Sequence, residues 1–210
     1  SEDVWELSLE PLSEMDWRAG QFINLQNKNG DTRSYSIASI QEEDYFVVLH
    51  IRHYPDGKVS DWIVSTLEVG ETVEIQGPTG TCYYDPEMAG SPLLLIAVGT
   101  GAAPLIGVAR EALRQGHSAP IAFYHGAASE ENLYLKDQLA ALEKSHPNFN
   151  ATCASLEVNG ELGITDIALS DNPNLNKHVV FLAGASDVIE DARIKVVAAC
   201  AQLSSIYSDP

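Results

Sequence analysis

Six consecutive apolar residues, Leu93-Leu94-Leu95-Ile96-Ala97-Val98, run straight into Gly99-Thr100-Gly101-Ala102-Ala103-Pro104. An apolar run of this length, bounded by turn residues, suits a strand buried on both faces. The glycines permit a sharp exit and close backbone approach, and Pro104 suits a first helical turn, where its missing N–H costs nothing. Strand, glycine turn and helix in that order open a parallel sheet, and the free amides at such a helix start attract a phosphate. The sixth position of the turn motif is proline, so the GxGxxG dinucleotide fingerprint is not met. Many α/β proteins also tighten such a turn for packing alone.

The alternation continues to the end of the chain. After 93–98 comes a helix near 104–115, then strand 121–125 with helix 132–144, strand 149–156 with helix 165–169, and strand 178–183 with helix 188–203. This predicts an α/β unit with a doubly wound parallel sheet covered on both faces, expected to have five strands, one more than the four read here. Before Gly90-Ser91-Pro92 the pattern differs. Short β-rich blocks at 4–9, 21–25, 33–37, 45–51 and 72–75 are separated by turn clusters such as Asn27-Lys28-Asn29-Gly30-Asp31 and Pro55-Asp56-Gly57, with a helical turn or two over 60–67. They predict an antiparallel β-barrel, expected to have six strands. Two domains follow, residues 1–88 and 89–210, with the boundary falling within 85–92.

Composition narrows the function. Twelve Lys and Arg stand against 30 Asp and Glu, a formal charge of −18, which leaves no basic stripe for nucleic acid. Cys82, Cys153 and Cys200 lie far apart, so no zinc ribbon or plant-type iron–sulfur site can be assembled in this chain, and a reducing cytoplasm is expected. The stretch 93–109 is interrupted by Gly99, Gly101, Pro104 and Gly107 and falls short of the ~20 residues of a membrane span. No leader is visible at Ser1. His50 and His53 sit three apart on a strand and point to opposite faces, so no metal site is expected. No Gly-x-Ser-x-Gly elbow suggests a hydrolase.

In the first half, Arg33-Ser34-Tyr35-Ser36-Ile37-Ala38-Ser39 places Arg33, Tyr35 and Ile37 on one strand face and Ser34 and Ser36 on the other. An arginine fork can clamp a pyrophosphate and a tyrosine ring can cover a flat heterocycle. Taken alone, the segment reads equally well as an exposed strand with a solvated arginine. The ordered set of motifs says more. Gly20-Gln21-Phe22, Arg33-Ser34-Tyr35-Ser36, Gly57-Lys58-Val59-Ser60, Gly77-Pro78-Thr79-Gly80, the turn at 99–104, Tyr124-His125-Gly126 and Phe181-Leu182-Ala183-Gly184 together resemble the ferredoxin-NADP reductase-like flavoproteins. Within that family they are most similar to the reductase modules of bacterial oxygenases and the NAD(P)H:flavin reductases.

The resemblance implies an FAD-binding barrel and a nucleotide-binding α/β domain. It implies that Arg33 binds the flavin pyrophosphate, that Tyr35 packs on the isoalloxazine, and that Ser36 hydrogen-bonds near flavin N5. Gly57, Lys58, Val59 and Ser60 would cradle FAD phosphates through backbone amides and the serine hydroxyl, and Ser34 is a further cofactor-binding candidate. Gly99, Thr100, Gly101, Gly126, Ala183 and Gly184 would face the nicotinamide nucleotide. Ser36 and Thr100 are the catalytic candidates.

Four departures bear on function. Ala128 stands where the family usually carries an arginine, followed by Ser129-Glu130-Glu131, so a 2′-phosphate would be repelled and NADH is expected over NADPH. Ala183-Gly184 replaces a Cys-Gly common in oxygenase reductases, which puts the rate of hydride transfer in doubt but not its principle. The chain ends at Ile206-Tyr207-Ser208-Asp209-Pro210, where relatives often continue to an aromatic residue. It begins within its first strand at Glu2-Asp3-Val4-Trp5, which leaves room for an upstream strand or an iron–sulfur domain. The resemblance therefore implies an FAD-dependent oxidoreductase taking hydride from NADH and passing electrons to a [2Fe-2S] domain or protein. The alternatives are a reductase that releases free flavin, and a non-catalytic electron-transfer or regulatory subunit that holds FAD. The acidic surface argues for an acceptor that is attached, neutral, basic or small.

Overall fold

Strand β4 (Val47–Arg52) buries Val47, Leu49 and Ile51 completely and turns Val48, His50 and Arg52 outward, as its two-residue period requires. This pattern organises the first half of the chain in the computed structural model, which describes residues 3–160 and 162–209. Ser1, Glu2 and Pro210, which entered the reading of the chain ends, lie outside the described residues. β1 (Val4–Leu9) pairs antiparallel with β4. β2 (Phe22–Gln26) lies between β3 (Thr32–Ser36) and β5 (Glu74–Thr79), antiparallel to both. One bridge, Ile37 to Leu49, joins the two sheets. Ile23, Leu25 and Ile37 meet the inward residues of β4 between the sheets, with Trp17, Val59 and Ile63 of α1 (Ser60–Ser65) closing the core.

The described residues of the first half thus form five strands in a two-stranded and a three-stranded antiparallel sheet, and a six-stranded closed barrel is not seen among them. The stretch after β1 is irregular, and side chains engage its backbone until it meets Ile37 at Gly20 and Gln21. Gln41 Oε1 accepts from the Trp17 amide and Gln21 Oε1 from that of Arg18, each at 2.9 Å.

The second half is a five-stranded parallel sheet, ordered β10-β9-β6-β7-β8. Its strands are β6 (Leu93–Val98), β7 (Ile121–Ala127), β8 (Phe149–Ser155), β9 (Val179–Ala183) and β10 (Ile206–Asp209). Leu93, Leu95 and Ala97 pack on one face with α2 (Ala102–Arg114) and α3 (Lys136–Ser145). Leu94 and Ile96 pack on the other with α5 (Ile164–Asp171) and α6 (Ser186–Ala198), following the single turn α4 (Leu156–Asn159). A central strand apolar on both faces explains why its sequence shows no alternation.

The last helix is shorter than the 188–203 expected. Cys200 adopts a left-handed backbone (φ 71) that stops it, and the remaining apolar residues become β10 instead. Helix α3 begins at Lys136, after a 3-10 turn over Glu130–Asn132.

Helix α2 belongs to both halves. Ala38, Cys82, Tyr84 and Met88 share its core cluster, and a Cβ added at Gly107 would stand 2.7 Å from the Ala38 carbonyl oxygen. At its far end Arg110 pairs with Glu43 and Asp44, each at 3.1 Å. Among the described residues no helix is long and apolar enough to cross a membrane.

Candidate active site

β6 lies between β7 and β9, so successive crossovers leave it in opposite directions and the chain order reverses beside it. Ligands bind at such a switch point, outside the carboxyl ends of the strands. Here Gly99–Gly101 form a single 3-10 turn into α2, with Gly99 at φ 60. A Cβ at Gly101 would stand 2.2 Å from the Ala183 carbonyl oxygen, so only glycine lets the turn lie against the end of β9. Neither the turn nor α2 carries a side-chain cap; the Ala102 amide donates back to the Gly99 and Thr100 carbonyls, and the amides of the turn before it are the candidate donors for an anion.

Across from this edge stand Ser34, Tyr35 and Ser36 of β3 and His50 and Arg52 of β4. The cleft between the two halves has a volume of about 440 Å³, with Gly99, Thr100, Gly101 and Gly184 on its far wall. That volume suits a large organic ligand. Burial pushes the Tyr35 phenol up to about 12, so it stays neutral. The Ser36 hydroxyl donates to the Asp209 carboxylate, joining β3 to β10. Burial raises the Asp209 pKa and the Ser36 bond opposes the rise, so this carboxyl holds a proton more readily than one in water. Asp209 owes its place to the sheet: it pairs with Ala183, and its carbonyl accepts from the Gly184 amide at 3.2 Å.

The other expected site residues lie elsewhere. Arg33 is exposed, and its guanidinium donates to the Thr32 carbonyl at 2.8 Å. Gly57 and Lys58 line a separate depression of about 450 Å³ beside Trp62. Lys58 pairs with Asp31 at 2.9 Å, Val59 is in the core, and the buried Ser60 hydroxyl bonds the Tyr54 backbone rather than facing outward. Helix α1 has no side-chain cap, but its Asp61 amide already donates to the Gly57 carbonyl at 2.9 Å, so fewer amides remain there for a phosphate. Gly126 and Ala183 are buried behind the cleft wall. A Cβ at Gly126 would meet Ile164 at 2.5 Å, and the Ala183 carbonyl backs the Gly101 turn. Ala128 does line the cleft. Its nearby acid Glu130 bonds Lys136 and Ser155.

Sequence reading missed His50, Arg52 and Asp209. The first two were legible as outward positions of an alternating strand; Asp209 required recognising β10. Among the described residues Arg52 has no carboxylate within ion-pair distance, and its guanidinium lies 3.6 Å from where a Gly99 Cβ would stand. His50 and His53 diverge, His50 to Tyr134 and His53 to Asp61, each at 3.0 Å. No group of three metal-ligating side chains gathers among the described residues.

The donor set therefore fits two nucleotides: an aromatic ring with hydroxyls and a cation on one wall, and the amides of a glycine turn on the other. Residues 1–84 match the family model of an oxidoreductase FAD-binding domain, and residues 95–193 that of an oxidoreductase NAD-binding domain. The chain is 32% identical over 201 residues to the ferredoxin–NAD(P)+ reductase component of naphthalene 1,2-dioxygenase/salicylate 5-hydroxylase systems of Ralstonia sp., covering 92% of this chain and 60% of that one. It is 29% identical to a Vibrio harveyi protein named "Probable flavin reductase", covering 90% of this chain and 84% of that one. A crystal structure of an Amycolatopsis cytochrome P450 reductase superposes with a TM-score of 0.90 at 29% identity, over 99% of this chain and 65% of that one. The chain thus spans less than two thirds of the oxygenase reductase component it matches. With both nucleotide-binding halves and their shared cleft accounted for, the chain belongs to the ferredoxin-NADP reductase-like flavoprotein oxidoreductases.

Proposed function

We propose that residues 1–88 bind FAD, that residues 89–210 bind NADH, and that the chain passes the electrons to a partner, with a [2Fe-2S] domain or protein as the expected acceptor. The observation carrying this reading is that Tyr35 and Ser36 from one half and the Gly99–Gly101 turn from the other line a single cleft. Bound FAD supplies the conversion between two-electron hydride chemistry and one-electron delivery. The protein supplies the rest. Tyr35 offers a half-buried face for a flat ring, and the amides of the Gly99–Gly101 turn, with Arg52 across the cleft, offer anion contacts. Arg33, exposed and tethered by one hydrogen bond, can swing to a phosphate without breaking an ion pair. Ser36 and Asp209 form a donor–acceptor pair able to accept and release a proton beside the ring. Thr100 lines the far wall of the same cleft.

NADH is favoured over NADPH because the cleft wall at Ala128 carries no base, and the nearby Lys136 is already paired with Glu130. The net charge of −18 favours an acceptor that is attached, neutral or basic. Three free cysteines, Cys82, Cys153 and Cys200, suit a reducing cytoplasm. Reduction of free flavin is the second reading, favoured by the likeness to the Vibrio harveyi protein along most of its length. The test is an anaerobic absorption spectrum of the FAD-loaded chain. NADH should bleach the flavin band, and colour surviving gel filtration separates a retained cofactor from a released one. No bleaching at millimolar NADH overturns the reading.

A further inference from the structure

The Gly99 carbonyl lies where β6 has left the sheet, one residue beyond the last registered pair with β7, Val98 to Gly126. It needs a partner from outside the ladder, and beside the Ala102 amide it has one. His125 Nε2 lies 3.2 Å away and donates to it. His125 shares a strand face with the buried Phe123 and has no solvent exposure. Its Nδ1 is buried with no hydrogen-bond partner among the described residues, so the proton sits on the nitrogen facing Gly99. Tyr134 then packs edge-on against both His125 and His50, with ring centroids 5.7 and 5.4 Å apart. Its hydroxyl bonds His50 Nδ1 at 3.0 Å. A continuous set of contacts therefore runs from the Gly99 turn through His125 and Tyr134 to β4 in the other half, where His50 lines the cleft.

We propose that His125 is a positioning residue that fixes the Gly99–Gly101 turn for the nicotinamide nucleotide, and that the Tyr134–His50 hydrogen bond ties this setting to the flavin-side half. This rests on the dinucleotide reading above and adds to it a named device for orienting the turn. His125 touches neither ring; it acts through the Gly99 carbonyl. A buried imidazole left half unsatisfied is an expensive way to fill space. Phenylalanine would pack there without the penalty, so the Nε2 donor is the part of the side chain that function retains. Burial holds the pKa of this ring down to about 4, with the nearby cations Arg52 and Lys136 acting in the same direction and the Gly99 bond opposing them. The donor therefore keeps its single proton throughout the neutral range.

The test measures direct binding of NAD+ and of ADP-ribose by calorimetry to the FAD-loaded chain, with thermal unfolding in parallel. His125→Phe keeps the packing and removes the donor, and should weaken both ligands about fivefold or more, the worth of one hydrogen bond. His125→Gln places an amide N–H near the position of Nε2 and should recover most of that loss; a purely structural role would not single out glutamine. Tyr134→Phe removes only the cross-half hydrogen bond and should give a smaller loss in the same direction. It carries the test if His125→Phe does not fold. Wild-type affinity in both His125→Phe and Tyr134→Phe, or no difference between His125→Phe and His125→Gln, overturns the positioning role alone. Failure of the wild-type chain to bind either ligand overturns the dinucleotide reading beneath it.

Discussion

The turn at Gly99–Gly101 and the cationic edge around Arg33 and Lys58 are both expected to meet phosphate, but the fold fixes them in different ways. The turn is made of backbone. The strand before it is paired on both sides, and Gly101 lies against the β9 carbonyls with no room for a Cβ. The cationic edge is made of long side chains. Arg33 rests on its neighbour's carbonyl, and Lys58 reaches Asp31 while 69% exposed. Main-chain donors are preset before any ligand arrives, whereas charged side chains are held by small energies and can be redirected.

The sharpest way to break that contrast is to disturb the preset side. Gly101→Val forces a side chain into backbone that cannot yield cheaply, and should destabilise the chain by about 1–3 kcal/mol and abolish flavin bleaching by NADH. Urea unfolding and the anaerobic spectrum check the two effects. Gly90→Ala is the control, since nothing lies within 4 Å of a Cβ there. It should change stability by less than about 0.5 kcal/mol. Equal effects at the two glycines would remove the argument for a turn fixed by close packing.

On the redirectable side, Arg33→Ala should weaken FAD by about 1.5–3 kcal/mol, the worth of charge-assisted hydrogen bonds to phosphate, with little effect on unfolding because the side chain is exposed. Equilibrium dialysis against FAD measures it. Unchanged retention would transfer the phosphate role to Arg52 or to the amides of α1.

This difference also explains what was legible in the sequence. β6 was read to the residue because six apolar positions in a row leave little else to be. The switch-point turn followed from it, whereas the meeting of Tyr35 and Ser36 with Thr100 was implied only by the family resemblance. Ser60 was assigned outward from its motif, but its hydroxyl turns inward to the Tyr54 backbone, a choice between two polar partners that spacing cannot decide. β10 was hidden because the apolar positions through Val196, Ala201 and Leu203 continue a helical pattern past Ala198. Only the left-handed backbone at Cys200 ends it, and cysteine gives no local signal for that conformation. With β10 went Asp209, the partner of the one serine placed at the ring.

A smaller effect is expected from the pattern of charge on the cleft wall. Ala128→Arg adds a base where the wall has none and should shift the NADPH to NADH preference by about tenfold, about 1.4 kcal/mol, read from kcat/KM for each nucleotide. Glu130 lies close by in sequence and is engaged by Lys136, so the new guanidinium need not be neutralised by it. A preference that does not move would place the adenosine end elsewhere.

Asp209 combines the two modes: a main-chain strand fixes its Cα while a single side-chain bond orients its carboxyl. Its effect on folding should be the smallest, and its sign is definite. Burial raises the folded pKa above the ordinary 3.8, so the folded chain binds this proton more tightly than the unfolded one. Asp209 therefore makes stability fall as pH rises from the ordinary value to the raised one, with the loss complete above it. Asparagine does not titrate, yet its carbonyl can still accept from Ser36. The stability of Asp209→Asn relative to wild type should consequently increase with pH across that interval and then stay level. Asp31 beside Lys58 and Glu130 beside Lys136 are held low and lose stability in the opposite direction, but they are common to both chains and cancel in the difference. Urea unfolding of the pair at matched pH gives that difference directly. A flat result would mean that burial gives the Asp209 carboxyl no excess proton affinity, and the cleft would then need another group to handle the proton beside the ring.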